Sequence, residues 1–207
     1  MSSQHPTAEL LVACYCQGIF PMVDPDTGRV EYYSPDPRGI LPLDRLHVSH
    51  SLARRVRSGR FEIRSDSCFE RVMRECAAPR ADRAQSWMNE PLLRAYVDLH
   101  HLGAAHSVEA WREGVLVGGL YGVHLGAAFF GESMFHRPEL EGTDASKVCL
   151  VALVERLREC GFELLDTQFT TPHLERLGAI EVPRSGYLER LARALARPVA
   201  WDPEGCE

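Results

Sequence analysis

The 207-residue sequence predicts an α+β fold built around a mixed sheet, and three features carry that reading. Past residue 104, three alternating apolar runs follow one another with only tight turns between them. One long helical period comes next, with Leu150, Leu153, Val154 and Leu157 at i, i+3, i+4 and i+7. A further apolar run, Phe162–Phe169, follows that helix at once, so its strand must return beside the earlier ones through a crossover.

The elements follow in order. Thr7 caps a short helix to Gln17, with Leu10, Leu11 and Cys14 on one face, and Gly18 ends it. Residues 24–39 are rich in Pro, Asp and Gly and read as loop, with a short strand at Val30–Tyr33. His47-Val-Ser49 leads into a helix over about 51–58 that Gly59 closes. Phe61–Arg64 alternates as a strand does, and Asp66 is placed to cap a helix through Cys76. Asn89-Glu-Pro91 is a helix start and Gly103 its stop. Strands follow at Ala105–Trp111, Val115–Val123 and Ala127–Phe135, turning at Arg112-Glu-Gly114 and Leu125-Gly126. Asp144 is expected to cap the long helix, which runs to Cys160. After the fourth strand come a helix at Pro172–Leu177, a strand at Ala179–Val182 and a last helix, about Gly186–Leu195, capped by Ser185. The division expected is a small N-terminal α/β subdomain, 1–64, and a catalytic domain, 65–207, with its core over about 104–197.

Composition narrows the function classes. The hydrophobic fraction of 45% and charged fraction of 25% are those of a soluble globular chain. No stretch approaches the roughly 20 apolar residues of a membrane span. Met1-Ser-Ser-Gln-His-Pro6 has neither a basic head nor an apolar run, which points to the cytoplasm. The seven cysteines form no CxxC and no metal spacing, so neither a metal nor a cofactor is expected. A net charge of −6 argues against a general nucleic-acid coat protein. The charge is uneven, however: Arg45, Arg54, Arg55, Arg57, Arg60 and Arg64 fall within 20 residues that hold one acid, Glu62. Such a run is either a solvated helix face or a local phosphate-binding patch.

The strand and helix order after residue 104 matches the acyltransferase-like α+β layout, the GNAT fold. Members that use acetyl-CoA hold its pyrophosphate on a glycine-rich loop before the long helix. Here that connection, His136-Arg-Pro-Glu-Leu-Glu-Gly-Thr-Asp144, has one glycine, three acids and a proline, so the donor is not expected to be a CoA thioester. Glu132 and Asp166 each interrupt an apolar strand. A carboxylate in such surroundings is costly unless paired, so each is a structural acceptor or a functional group. The third and fourth strands flank the V-shaped opening of this layout, which makes a shared site plausible.

The residues Gly18-Ile-Phe-Pro21, Ser34-Pro-Asp-Pro-Arg38-Gly-Ile-Leu41, His47-Val-Ser49, Ala105-His-Ser-Val-Glu109 and Leu116-Val-Gly-Gly-Leu-Tyr-Gly122 occur in this order. Phe130-Gly-Glu-Ser-Met-Phe135, Ala145-Ser-Lys147, Leu165-Asp-Thr-Gln168 and Leu177-Gly-Ala179 continue it. Together they resemble the leucyl/phenylalanyl-tRNA–protein transferase family over nearly the whole chain, about residues 9–190. The resemblance implies transfer of Leu, also Phe and in some cases Met, from aminoacyl-tRNA to proteins that begin with Arg or Lys, marking them for N-end-rule degradation. It implies no cofactor, and a monomer is expected. Asp166 and Gln168 match the catalytic pair, and Glu132 matches the residue that receives the donor's α-amino group. Leu120, Phe129, Gly131, Leu150 and Leu165 match an apolar side-chain pocket. Trp87 matches an aromatic near the terminal adenosine, and Met22 stands where some relatives place a tryptophan against it. Arg54, Arg55, Arg57 and Arg60 become the tRNA contact. Alternatives from the residues alone are a GNAT-fold transferase with another donor or acceptor, and an RNA-binding relative without turnover.

Strand alternation places Asp166 and Gln168 on one face and Leu165 on the other. On that geometry Asp166→Ala is expected to keep the fold while turnover falls by about 10²–10⁴, if the carboxylate accepts a proton.

Overall fold

The computed structural model describes residues 6–78 and 88–202. Helix α1 is Ala8–Tyr15, its first turn held by the Thr7 hydroxyl, which accepts from Leu10 N at 3.2 Å. The chain turns at Gly18, which has φ +71° and backs against the Tyr187 ring. Strands β1 (Phe20–Val23) and β2 (Val30–Tyr33) form an antiparallel hairpin. Then come β3 (Arg38–Ile40), α2 (His50–Arg57), β4 (Glu62–Ser65), α3 (Phe69–Ala77) and α4 (Glu90–His101). Ser49 and Asn89 cap α2 and α4 as their sequence positions predict. The second half is β5 (Ala105–Arg112), β6 (Val115–Leu125), β7 (Ala128–His136), α5 (Ala145–Glu159), β8 (Leu164–Gln168), α6 (Pro172–Arg176), β9 (Ile180–Val182) and α7 (Arg184–Leu195).

Seven strands make one sheet in the order β4-β5-β6-β7-β8-β3-β9. All neighbours are antiparallel except β7 and β8, which α5 joins as a crossover. This is the α+β layout that the alternating runs and the long helical period predict. Residues 1–64, expected as a separate subdomain, contribute β3 and β4 to this sheet. Apolar side chains form two clusters, one on each side of the sheet. The first gathers α1, α3, α4 and α7, and the second gathers α2, α5 and α6.

Three predicted caps are not caps. Asp66 has φ +55° and turns its carboxylate to Ser107 N (2.7 Å) and His106 Nδ1 (2.8 Å). The start of α3 is served instead by buried Glu109 of β5, which accepts from Ser67 N and Ser67 Oγ. Asp144 has φ +69° and binds Lys147 Nζ at 2.7 Å rather than the α5 backbone. Ser185 lies inside α7, which begins one residue earlier, after Pro183. In each case the local cap chemistry loses to a partner distant in sequence or to a backbone turn.

The opening between β7 and β8 has a definite cause. The two strands pair only from Ala128–Phe130 to Leu164–Asp166. On its other side, β7 pairs Gly131 with Gly122 and Ser133 with Tyr121, leaving Glu132 as the extra residue of a bulge. β7 therefore parts from β8 where Glu132 sits. β3 then closes the far side of β8, and Gly39 lies opposite Gln168 at a second register shift. A Cβ on Gly39 would stand 2.5 Å from the Phe169 carbonyl carbon and 2.9 Å from Thr170 N. Both are backbone atoms, so they cannot swing aside. Gly39→Ala is therefore expected to lower stability by about 1–3 kcal/mol, read as a lower urea midpoint at unchanged m-value. A midpoint equal to that of the parent would show that β3 and β8 are not so closely apposed.

Candidate active site

A cavity of about 120 Å³ lies in this opening. It compares with the roughly 150 Å³ apolar cavity that accepts a benzene ring. Its walls include Leu120, Gly131, Met134, Leu150, Leu153, Leu165, Thr167 and Leu174. The polar side chains Glu132, Gln168, Ser133 and Tyr121 also line it. Of the residues expected at an apolar side-chain pocket, Leu120, Gly131, Leu150 and Leu165 line this cavity. Phe129 does not: it is fully buried, its ring lies over Gly122 and it stacks on Trp201 at 5.5 Å. It is core behind the cavity, because pairing with both β6 and β8 holds this part of β7 in the sheet. Met134, Leu153 and Leu174 were missed, although Leu153 was visible on the α5 stripe.

Glu132 is half-buried and held from two sides. Tyr96 Oη of α4 donates to its Oε2 at 3.1 Å, and Gln168 Nε2 donates to its Oε1 at 3.3 Å. Tyr15 of α1 meets Tyr96 with 2.6 Å between the two hydroxyls. Burial raises the Glu132 carboxyl to about 7, with Asp166 also raising it, while Tyr15, Tyr96 and Arg38 pull it down. Burial holds both tyrosine hydroxyls well above their usual range, so they remain neutral donors. The arrangement offers a carboxylate at the wall of a mainly aliphatic pocket, poised to ionise near neutrality.

Asp166 is fully buried and occupied on both oxygens. Arg38 donates from Nε at 3.0 Å and from Nη2 at 2.7 Å in a two-pronged pair. Tyr187 Oη of α7 donates at 2.7 Å, and Gln168 N donates at 2.8 Å. The remaining arm of Arg38 donates from Nη1 to Gly18 O at 2.8 Å, and its guanidinium lies over the Phe20 and Tyr187 rings. Burial, followed by the charge of Asp166, lifts the Tyr187 hydroxyl above its usual range.

Asp166 and Gln168 are thus one unit, but they do not act from one face. Gln168 has φ +57° and leaves the extended conformation, fixed by the bond from its own N–H to Asp166. That twist turns its amide to Glu132 and the cavity, while Asp166 faces Arg38. It also places Leu165, Thr167 and Gln168 together on the cavity wall. The expectation that Asp166→Ala preserves the fold is corrected by this burial, since the substitution strands a guanidinium with no access to water.

The remaining described candidates lie outside the cavity lining. Met22 is half-buried in β1, opposite Glu31 and packed against the first apolar cluster. Trp87 falls outside the described residues. Arg54, Arg55 and Arg57 occupy the last turn of α2, where cations suit the helix dipole. Among the described residues no acid pairs with them. Arg60 differs, because its Nη2 is bound to Glu141 at 2.9 Å. Two of the described aromatics are exposed: Phe169 (47% exposed), next to Gln168 and edge-on to Phe20, and Tyr32 (39%) on the hairpin. Among the described residues no group of three or more His, Cys, Asp or Glu side chains is placed to hold a metal ion.

A sequence model described as leucyl/phenylalanyl-tRNA protein transferase matches residues 40–192, and one for the N-terminal domain of that transferase matches residues 5–36. The leucyl/phenylalanyl-tRNA–protein transferase of Paramagnetospirillum magneticum is 56% identical over 196 residues, covering 94% of this chain and 91% of its own. That of Rubrobacter xylanophilus is 57% identical over 190 residues, covering 91% and 95%. Among solved structures, a GCN5-related N-acetyltransferase from Kribbella flavida aligns with TM-score 0.44 at 12% identity, over 86% of this chain and 60% of that one. L-PGS from Bacillus licheniformis aligns with TM-score 0.43 at 13% identity, over 81% and 55%.

The buried pair makes a sharp test of the site's scaffold. Arg38→Ala leaves the Asp166 carboxylate without its counter-charge, and a stability loss of about 3–5 kcal/mol is expected from chemical unfolding. A loss below about 1 kcal/mol would show that water reaches Asp166.

Proposed function

This chain belongs to the leucyl/phenylalanyl-tRNA protein transferase family, and we propose that its cavity receives the leucine or phenylalanine side chain of a charged tRNA. As a member it moves an aminoacyl group from tRNA to a protein. The single observation that carries the cavity assignment is its chemistry: largely aliphatic walls with one carboxylate, Glu132, among them. That is the complement of an apolar amino acid whose α-ammonium is borne on the same carbon as its side chain.

The reaction is aminolysis of an ester. The acceptor's α-amine attacks the aminoacyl carbonyl, a C–N bond forms, the C–O bond to the terminal ribose breaks and the ribose oxygen leaves with a proton. An activated ester needs little covalent help, so positioning supplies most of the acceleration. Glu132 holds the donor's ammonium. Gln168, next to it, orients the attacking amine through its amide, and Asp166 is the positioning residue that sets the Gln168 backbone. With four donors on its two oxygens, Asp166 is not the group that takes the proton. The terminal adenosine stacks on the aromatic rim that includes Phe169, and Arg54, Arg55 and Arg57 meet tRNA phosphates without reading sequence. The acceptors begin with Arg or Lys and are thereby marked for N-end-rule degradation. The enzyme works in the cytoplasm as a monomer. Among the described residues no helix is long and apolar enough to cross a membrane.

The direct experiment supplies purified protein with labelled Leu-tRNA, Phe-tRNA or acetyl-CoA, and with peptides beginning in Arg, Lys or Ala. Label is expected on the Arg and Lys peptides from both tRNAs and from neither tRNA on the Ala peptide. Transfer from acetyl-CoA alone would overturn the reading.

A pH profile tests Glu132. Folding raises this carboxyl from the ordinary 4.5 to about 7, so it is mostly neutral at pH 6 and mostly ionised at pH 8. The ionised form is the one that attracts an ammonium. The ratio of kcat/KM for Leu-tRNA between parent and Glu132→Gln should therefore rise with pH through about 7, because glutamine cannot ionise. Taking the ratio cancels the titration of both amines. A flat ratio would remove Glu132 from ammonium binding.

A further inference from the structure

A second cavity, of about 320 Å³, opens beside the first. Its walls come from the entry to α2 (His47, Ser49, Ser51), the start of α5 (Asp144, Lys147) and α6 (His173, Arg176). The two cavities lie in tandem along the same pair of helices. Lys147 precedes Leu150 by three residues on α5, about 4.5 Å of helix rise, and His173 directly precedes Leu174 on α6.

The chemistry of the two is opposite. Where the first cavity is walled by leucines, this one presents an ammonium, a guanidinium, two imidazoles and two hydroxyls. Lys147 is the only lysine of the chain, and one of its three donors is used on Asp144 at 2.7 Å. That bond also neutralises the one acid in the walls. Among the described residues no acid pairs with Arg176, His47 or His173. Positive charge outweighs negative at this point: burial lowers the His173 imidazole below its usual range, Lys147, Arg176 and His136 lower it further, and Asp144 opposes them. The Ser49 and Ser51 hydroxyls stand 3.1 Å apart at the mouth of α2. Such a set of donors, with an acid already spoken for, is matched by a phosphate oxygen and not by a peptide or an apolar group.

We propose that this notch seats a backbone phosphate at the 3′ end of the donor tRNA, an assignment that rests on reading the chain as an aminoacyl-tRNA transferase. Its place beside the side-chain cavity puts a bound anion within a nucleotide or two of the aminoacyl ester. From Ser51 the same helix carries on to Arg54, Arg55 and Arg57, so the notch begins a cationic track that leads away from the ester along the acceptor arm. Among the described residues no Phe, Tyr or Trp lines the notch, and its cations and hydroxyls suit backbone phosphate rather than a base.

The test uses His173→Ala and Arg176→Ala, singly and together, since neither side chain is core; urea midpoints verify that the fold is kept. Three donors are compared: leucyl-adenosine with no phosphate, leucyl-CpCpA with internal phosphates, and Leu-tRNA. KM for leucyl-CpCpA and Leu-tRNA should rise about tenfold for each side chain truncated, with kcat and the leucyl-adenosine KM unchanged. An equal loss on leucyl-adenosine would overturn the phosphate assignment, as would no loss on any donor. A loss confined to whole Leu-tRNA would also overturn it, by moving the phosphate site off the 3′ end. Binding of uncharged CpCpA against adenosine, measured without turnover, separates the notch from the catalytic reading. If no donor supports transfer, the function fails; if the variants bind CpCpA as the parent does, the notch fails.

Discussion

The geometry of the site depends on one buried ion pair, Arg38 with Asp166. Moving two charges out of water costs about as much as their attraction returns, so such a pair is a poor source of net stability. What it supplies is placement. The guanidinium fork meets both carboxylate oxygens, which fixes β3 against β8 in position and in angle. Its third contact, to Gly18 O, draws in the end of α1, and Tyr187 brings in α7. The last bond to Asp166 comes from the Gln168 N–H, and it holds that residue in a left-handed conformation that a glutamine adopts only under constraint. Four separate parts of the chain thereby determine where one amide side chain sits.

Glu132 is governed by a second balance. It is the unpaired residue of a bulge, so the strand aims it into the opening instead of along the sheet face. Burial resists its ionisation, and Asp166 resists it further, while the Tyr96 hydroxyl and the Arg38 charge favour it. Because Arg38 and Asp166 almost cancel each other at a distance, desolvation decides, and the carboxyl rests near neutrality. A group in that condition gains most from a cation that arrives with the ligand, since the incoming charge replaces the missing water.

Much of this was legible in the sequence, and the limits follow a pattern. The three antiparallel strands, the crossover helix and its following strand announce themselves through local periodicity and tight turns, and Thr7, Ser49 and Asn89 cap as their positions foretell. Glu132 and Asp166 stood out as acids in apolar strands. Their partners did not. Arg38 lies 128 residues before Asp166, in a three-residue strand hidden in a Pro- and Gly-rich stretch that has no alternation to read. Tyr15 and Tyr96 are ordinary core positions of their helices until the fold brings their hydroxyls together. The bulge at Glu132 and the loss of Asp66 as a cap arise from contacts between distant segments. Gln168 and Asp144 turn on local bonds, to Asp166 and from Lys147, that strand alternation and cap rules do not encode. Phe129 illustrates the converse, since an aromatic two residues from a pocket glycine looks like lining and is held in the core by pairing on both sides.

The make-up of the first cavity also bears on how selective a transferase of this kind is able to be. An apolar pocket separates ligands that differ by a methylene by only about 1–3 kcal/mol. A cavity of about 120 Å³ lined by leucines and Met134 therefore admits a small set of unbranched or γ-branched side chains. Met134 adds tolerance, as a flexible thioether adjusts to more than one shape. Strong exclusion is reserved for polar side chains, which would lose hydrogen bonds to water against aliphatic walls. Glu132 and Gln168, on the proposed function, face the part of the donor common to all amino acids and add nothing to the choice among side chains. On the proposed function, breadth between leucine and phenylalanine and sharp rejection of polar donors thus have one origin: the site binds the invariant ammonium with a charge and the variable group with hydrophobic contact alone.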